Sequence, residues 1–187
     1  VNFNPADNAA EGAGTNFVPE GYSVIKKVQD ENTVLYTVVE GKGASSVEEL
    51  EDVISSATEP TTVTLAEGTY ELPSLENKDI TIKGTKDTVI DLTDKVEKAN
   101  SVAFEGVTVN FGKDNYKGFQ HTQKVVYKDC VINGFMTTYG DMEFVDCTFY
   151  SGDDQYAINF YGGENFTLTN CHFYGVNKNV YIYQETV

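Results

Sequence analysis

VVYKDCVI at residues 125–132, MEFVDCTF at 142–149 and FTLTNCHF at 166–173 decide the fold. In each, apolar and other residues alternate, an Asp or Asn interrupts, a cysteine follows, and an apolar residue closes the segment two positions later. The same frame extends upstream to VAFEGVTV at 102–109 and, shortened, to ITIKG at 80–84. The shared pattern is apolar-x-apolar-x-(Gly/Asp/Asn)-(Val/Cys)-x-apolar. Its equivalent positions 82, 104, 127, 144 and 168 are 22, 23, 17 and 24 residues apart. Period-2 alternation gives a strand with one buried face. Gly, Asp and Asn tolerate left-handed backbone, so the interruption reads as a tight bend. A unit this short cannot bury its apolar side alone, but stacked units can. The prediction is an all-β chain: a right-handed, single-stranded parallel β-helix of about five coils, with neighbouring coils about 4.8 Å apart.

The frame gives the three cysteines a role. Cys130, Cys147 and Cys171 occupy one repeat position, and Val107 precedes them in it. They read as an inward column of small apolar side chains and free thiols. Parallel stacked side chains aim poorly for a disulfide. Zinc would need converging ligands at short spacing, which the sequence lacks.

Upstream, FVPEGYSVIKKV and TVLYTVVEG flank a polar QDEN turn, which signals a hairpin with four candidate turn residues. In SSVEELEDVISSA the period changes. Val47, Leu50, Ile54 and Ala57 fall at helical spacing with Val53 beside them, and Ser46 with Glu49 forms a capping box. The helix is predicted over 46–57, covering the open end of the first coil with Val47, Leu50 and Ile54. Residues 1–16 are small and polar and read as an arm. The division is therefore 1–43, arm and hairpin, and 44–187, helix-capped β-helix. No comparable helix follows the last coil. The expectation is that this end meets further chain or a second copy. The chain begins at Val1 without a basic-then-apolar leader, which fits a removed leader or a piece of a longer protein.

Composition narrows the partners. The 187 residues carry 13 basic and 29 acidic side chains, a net charge of −16. Nucleic acid and anionic membrane surfaces both demand the opposite sign. No run of 18 apolar residues exists to span a bilayer. The acidic surface and the richness in Asn, Thr, Tyr and Gly point to the outside or surface of a bacterial cell.

The run from FVPEGYSV through the helix, VTLAEGTYELPSLENKDITIKG, VAFEGVTVNF, YKGFQHTQKVVYKDCVING and YGDMEFVDCTFYSGDDQYAINFYGGENFTLTNCHF resembles a group of uncharacterised bacterial surface and secreted proteins. They carry right-handed β-helix repeats of the pectate-lyase-like superfamily. The resemblance covers residues 17–184 and implies a fold and an extracellular setting, but no settled activity. Pectate lyases of that superfamily use Ca²⁺ and an arginine base, and this chain has no arginine. Its hydrolases use clustered aspartates, and Ser151-Gly152-Asp153-Asp154 is similar to one piece of that cluster. The companion pieces are missing.

Adjacent carboxylates on extended chain face opposite ways, so only one of Asp153 and Asp154 faces a substrate, and glycoside cleavage needs two. They stand as the low-ranked catalytic candidates, and a solvated turn is the preferred reading. No cofactor is expected; Ca²⁺ at the acidic turns of Asp141, Asp153 or Asp154 is the single weak alternative. His172 points outward beside Thr108, Val131 and Thr148, and His121 is isolated, so neither has an orienting partner. Tyrosine is the more telling residue, with 12 in the chain. Tyr150 and Tyr174 follow Phe149 and Phe173 at matching outward positions, and Tyr181 and Tyr183 alternate with Ile182. Such rings suit sugars or another protein.

The sequence thus reads as a non-catalytic extracellular module for adhesion, cell-surface or glycan contact, with Tyr150, Tyr174, Tyr181 and Tyr183 as its ligand-binding residues. The partner expected is a glycan or a cell-surface protein. The two rivals are a polysaccharide lyase or glycoside hydrolase acting on acidic polysaccharide near Asp153, and a rigid spacer.

Overall fold

Left-handed bends divide the chain into turns. Gly106, Asp129, Asp146 and Asn170 have φ of 75°, 51°, 54° and 50°. These are the residues that interrupt the repeat. The computed structural model describes residues 18–92, 95–112, 118–150, 156–175 and 178–183. Over these the order is β1 (Tyr22–Asp30), β2 (Thr33–Glu40), β3 (Lys42–Ala44), α1 (Val47–Ser56), β4 (Thr61–Leu65), β5 (Gly68–Glu71), β6 (Asp79–Lys83) and β7 (Thr88–Asp91). Then come β8 (Val96–Glu97), β9 (Ser101–Glu105), β10 (Thr108–Asn110), β11 (Phe119–Gln120), β12 (Lys124–Lys128), β13 (Val131–Asn133) and β14 (Met136–Thr138). The chain closes with β15 (Asp141–Val145), β16 (Thr148–Tyr150), β17 (Tyr156–Phe160), β18 (Phe166–Thr169), β19 (His172–Tyr174) and β20 (Lys178–Ile182).

The strands stack into three parallel walls. The first holds seven strands in the order β3-β4-β6-β9-β12-β15-β18, and the second holds six, β5-β7-β10-β13-β16-β19. The third consists of β8-β11 and β14-β17-β20, joined by a 2.9 Å bond from the Tyr139 amide to the Phe119 carbonyl. This is a parallel β-helix of six turns. The register is the one the repeat demands: Ile82 pairs with Phe104, Phe104 with Tyr127, Tyr127 with Phe144 and Phe144 with Leu168. The turn beyond the five repeat copies is β4–β5, in which Val63 continues the same column onto Ile82.

Inside, the columns pack like on like. The Phe104 and Tyr127 rings stack with centroids 5.1 Å apart, and Phe149 stacks on Phe173 at 4.5 Å. Fully burying a ring such as Phe104, Tyr127 or Phe149 contributes about 1.5–3 kcal/mol. Cys130 and Cys147 are buried behind Val107, and the thiols are free. Their Sγ atoms lie 3.4 Å from the carbonyls of Phe104 and Tyr127, one turn earlier. Burial and the contact with Cys130 push the Cys147 thiol far above its usual range, the Cys130 contact being the larger cause. Thr88 is a further buried member of this column: it immediately precedes Val89, which pairs with Thr108.

Three local expectations are corrected. Gly84 is not a left-handed bend. Four residues, 84–87, span that corner, and a Cβ on Gly84 would meet the Thr88 side chain at 2.7–2.9 Å. The hairpin turn is shorter than QDEN: β1 and β2 are joined by Glu31 and Asn32 alone, with the Asp30 carboxylate accepting from the Asn32 amide at 2.9 Å. Val47, expected under the helix, is 38% exposed, and the covering stripe starts at Leu50 and continues with Ile54.

The helix α1 lies on β3 and β4. Ser46 caps it by accepting from the Glu49 amide at 3.2 Å, and Glu49 answers by accepting from the Ser45 amide at 2.7 Å. At the other end Lys78 donates to the carbonyls of Ser55 and Ala57, satisfying orphan acceptors of the last turn. The β1–β2 hairpin closes over Gly43, where a Cβ would strike the Ile25 side chain.

Candidate functional site

The third wall carries a run of tyrosines beside its inward columns. Met136, Ile158 and Val180 share one register position, and Thr138, Phe160 and Ile182 another. The residues that follow, Tyr139, Tyr161 and Tyr183, are aligned by bonds from the Tyr161 amide to Thr138 and from the Tyr183 amide to Phe160. Alternation turns these rings away from the interior. Tyr181 pairs in register with Asn159, and Tyr156 with Lys178.

The five rings form one contacting group. Tyr139 and Tyr161 stack at 5.6 Å with planes 27° apart, and Tyr161 meets Tyr183 at 5.5 Å and Tyr181 at 6.3 Å. Tyr156 lies 5.1 Å from Tyr181, with the Lys178 ammonium 5.2 Å from its ring centroid. Such distances describe offset and tilted packing, so each ring overlaps part of its neighbour. The result is a shingled surface. All five are half-buried or exposed, Tyr183 reaching 43%. Within the same wall, Asn159 keeps its Oδ1 out of solvent with no hydrogen-bond donor among the described residues.

Tyr150 and Tyr174 form a separate pair on the second wall. Their rings stack at 5.3 Å and 19°, and both side chains are exposed, facing outward as the alternation requires. They end a column that begins with polar residues: Asn110 donates to Asp91 at 2.7 Å, and Asn133 to Asn110 at 2.8 Å. Of the four tyrosines singled out in the sequence, Tyr181 and Tyr183 belong to the third-wall group. Tyr139, Tyr156 and Tyr161 of that group were missed. A signal existed: Tyr139, Tyr161 and Tyr183 are spaced by 22 and 22 residues.

The remaining candidates fall elsewhere. Asp153 and Asp154 lie outside the described residues. Asp141 is engaged as a corner clamp: its Oδ1 accepts from the amides of Glu164 and Asn165 at 2.8 and 3.1 Å, and its Oδ2 from the Asn165 side chain at 2.7 Å. These bonds, the side-chain one foremost, hold its carboxyl below the usual range. Among the described residues no group of three His, Cys, Asp or Glu side chains converges to hold a metal. His172 is exposed and pairs in register with Thr148, and His121 occupies a left-handed corner at φ 54°. A cleft of about 500 Å³ between the second and third walls is lined by Leu75, Glu76, Asp91, Val96 and Lys98, with Glu76 and Lys98 paired across 3.6 Å. It belongs to an early turn and contains none of the tyrosines. No helix among the described residues is long and apolar enough to cross a membrane.

Compared with protein-family models, with curated proteins and with solved structures, the chain matches none of them.

Proposed function

We propose that this β-helix is a non-catalytic binding module that works outside a bacterial cell, contacting glycans through the tyrosines of its third wall. The observation that carries the reading is the five-ring group of Tyr139, Tyr156, Tyr161, Tyr181 and Tyr183. Ring edges and phenol hydroxyls supply apolar contact and hydrogen bonds together, the combination a pyranose ring needs. The stacked turns act as a stiff support, which lowers the cost of ordering the site on binding. The extracellular setting and a kinship with pectate-lyase-like β-helix proteins of bacterial surfaces belong to the same proposal. They rest on the repeat pattern and on the acidic, tyrosine-rich composition.

The test is a glycan array probed with the purified chain, beside a reducing-end assay on uronic-acid polymers with and without Ca²⁺. Retention on at least one glycan class, lost at least tenfold in the Tyr181→Ser, Tyr183→Ser double variant, supports the proposal. Cleavage of a polymer that disappears in Asp153→Ala overturns it in favour of an enzyme. Binding to no glycan overturns it as well.

A further inference from the structure

The column of Tyr139, Tyr161 and Tyr183 does not end at Tyr139. Phe160 pairs with Thr138, and the Tyr161 amide bonds the Thr138 carbonyl; the Tyr139 amide bonds the Phe119 carbonyl in the same way, at 2.9 Å. That step sets Thr138 over Phe119 and Tyr139 over Gln120, and Gln120 in turn pairs in register with Glu97. Phe119 and Val96 are buried, so alternation turns Gln120 and Glu97 outward with the rings. Glu97 is exposed and Gln120 partly so. One file of side chains thus runs Tyr183, Tyr161, Tyr139, Gln120, Glu97 across five successive turns. At the spacing of paired strands it is about 19 Å long.

The residue after each member lies on the corner toward the first wall. After Tyr139 and Tyr161 these are Gly140 and Gly162, which add no side chain to the flank. After Gln120 and Glu97 they are His121 and Lys98, both exposed and both in left-handed backbone, at φ 54° and 57°. The file therefore has an aromatic half with a bare flank and a second half that offers an amide, an imidazole and a carboxylate for hydrogen bonding. The lysines on its flanks are already engaged: Lys98 meets Glu76 across 3.6 Å, and Lys178 sits at the Tyr156 ring.

We propose that this file is the binding track of an unbranched, uncharged polysaccharide laid parallel to the β-helix axis, with Gln120 and His121 bonding its hydroxyls. The proposal rests on the glycan reading of the tyrosines and goes beyond it in naming the class of glycan, its direction and two further binding residues. Groups at one position of successive turns repeat along the axis, and a linear polymer repeats along its own length. A file one side chain wide, bordered by a corner, suits a narrow chain without branches. The absence of charge on the ligand follows from electrostatics. A polyuronate would approach a protein of net charge −16, and the flanking lysines are already taken. A polycation would be drawn to the acidic surface at large, with nothing to hold it on this file. Each further sugar that reaches another turn adds contact to a molecule already bound, so affinity should grow with chain length.

Calorimetric titration of the chain with cello-, xylo- and manno-oligosaccharides of two to six units, beside oligogalacturonates of the same lengths, tests this. At least one neutral series should bind, with Kd falling at least tenfold from the dimer to the pentamer. Gln120→Ala should weaken the hexamer at least threefold and leave the dimer and the melting curve unchanged. His121→Gly, which removes the imidazole and keeps the left-handed backbone comfortable, should do the same. Gln120→Glu, of nearly equal size, should also weaken the hexamer, which separates a lost hydrogen bond from a lost fold. The Tyr181→Ser, Tyr183→Ser double variant should weaken both lengths. Neutral oligomers that bind with no dependence on length overturn the track and leave the tyrosine reading standing. So does a hexamer that keeps its affinity in the Gln120 and His121 variants while losing it in the tyrosine variant. Tighter binding of oligogalacturonate overturns the proposal as well. Binding of no oligomer overturns it together with the glycan reading.

Discussion

The ring of Tyr127 lies 5.0 Å from that of Phe144, with the two planes 5° apart, and its hydroxyl is buried with no hydrogen-bond partner among the described residues. The column has no use for that oxygen, since its neighbours on both sides are phenylalanines. A buried hydroxyl without a partner costs about 1–3 kcal/mol. Tyr127→Phe is therefore expected to raise stability by about 1 kcal/mol, read as a higher urea midpoint with an unchanged slope.

Alkaline pH should weaken the fold before acid-base chemistry touches its surface bonds. Contact with Cys130 and burial hold the Cys147 thiol up, and burial holds up Tyr127 and moves Tyr70 to about 12. The unfolded chain releases these protons first, near pH 8.5 for the Cys147 thiol and near pH 10 for the tyrosines. Above those values the folded state holds more protons than the unfolded one, so stability falls as pH rises. Cys147→Val, which repeats the side chain Val107 places in the same column, should fold and should flatten the decline between about pH 8.5 and 10. An equally steep decline in that variant would contradict the assignment.

Gly140 has φ 112°, and a Cβ there would collide with the Thr122 carbonyl oxygen of the preceding turn. Here both the backbone angle and the closeness of the coils require glycine. Gly140→Ala is expected to cost about 3 kcal/mol or more, measured by chemical denaturation.

The Asp141 clamp ties the corner at Glu164 and Asn165 to the turn before it. Asp141→Ala should speed amide hydrogen exchange at Glu164, Asn165 and through β18 by about fivefold, leaving β9 and β12 protected. Because its carboxyl is held below the usual range, its contribution is in place above about pH 4 and is lost as pH falls further. Uniform loss of protection across all walls would show that the clamp acts on the whole molecule instead.

The first two walls were legible because one short motif writes both of them and the bend between. Alternation fixed which of Phe104, Val107, Tyr127 and Cys130 face inward, and Asp129, Asp146 and Asn170 announced the bends. The third wall was not legible. Its strands VE, FQ, MTT, YAINF and KNVYI share no consensus, and they begin at differing distances from the motif. Residues at one height on that wall are brought together by the first two walls, which carry the register for all three. That is why Tyr139, Tyr156 and Tyr161 escaped notice while Tyr150 and Tyr174, next to the motif, did not. Gly84 misled for a related reason: it matched the motif in residue type but sits at a corner of four residues, where its small size spares Thr88.

The corners differ in how much chain they accept. Between the first and second walls two residues suffice at every turn from β9–β10 onward, whereas between the second and third the gap is eight residues after β10, two after β13, five after β16 and three after β19. One seam of the shaft is thus rigidly metered and the other takes up slack. Foreign peptides grafted into the long β10–β11 connection should ride outside the scaffold without disturbing its winding, whereas the two-residue corner after Asn133 is closed, a Cβ on Gly134 colliding with the Gly112 carbonyl oxygen and Phe135 being buried.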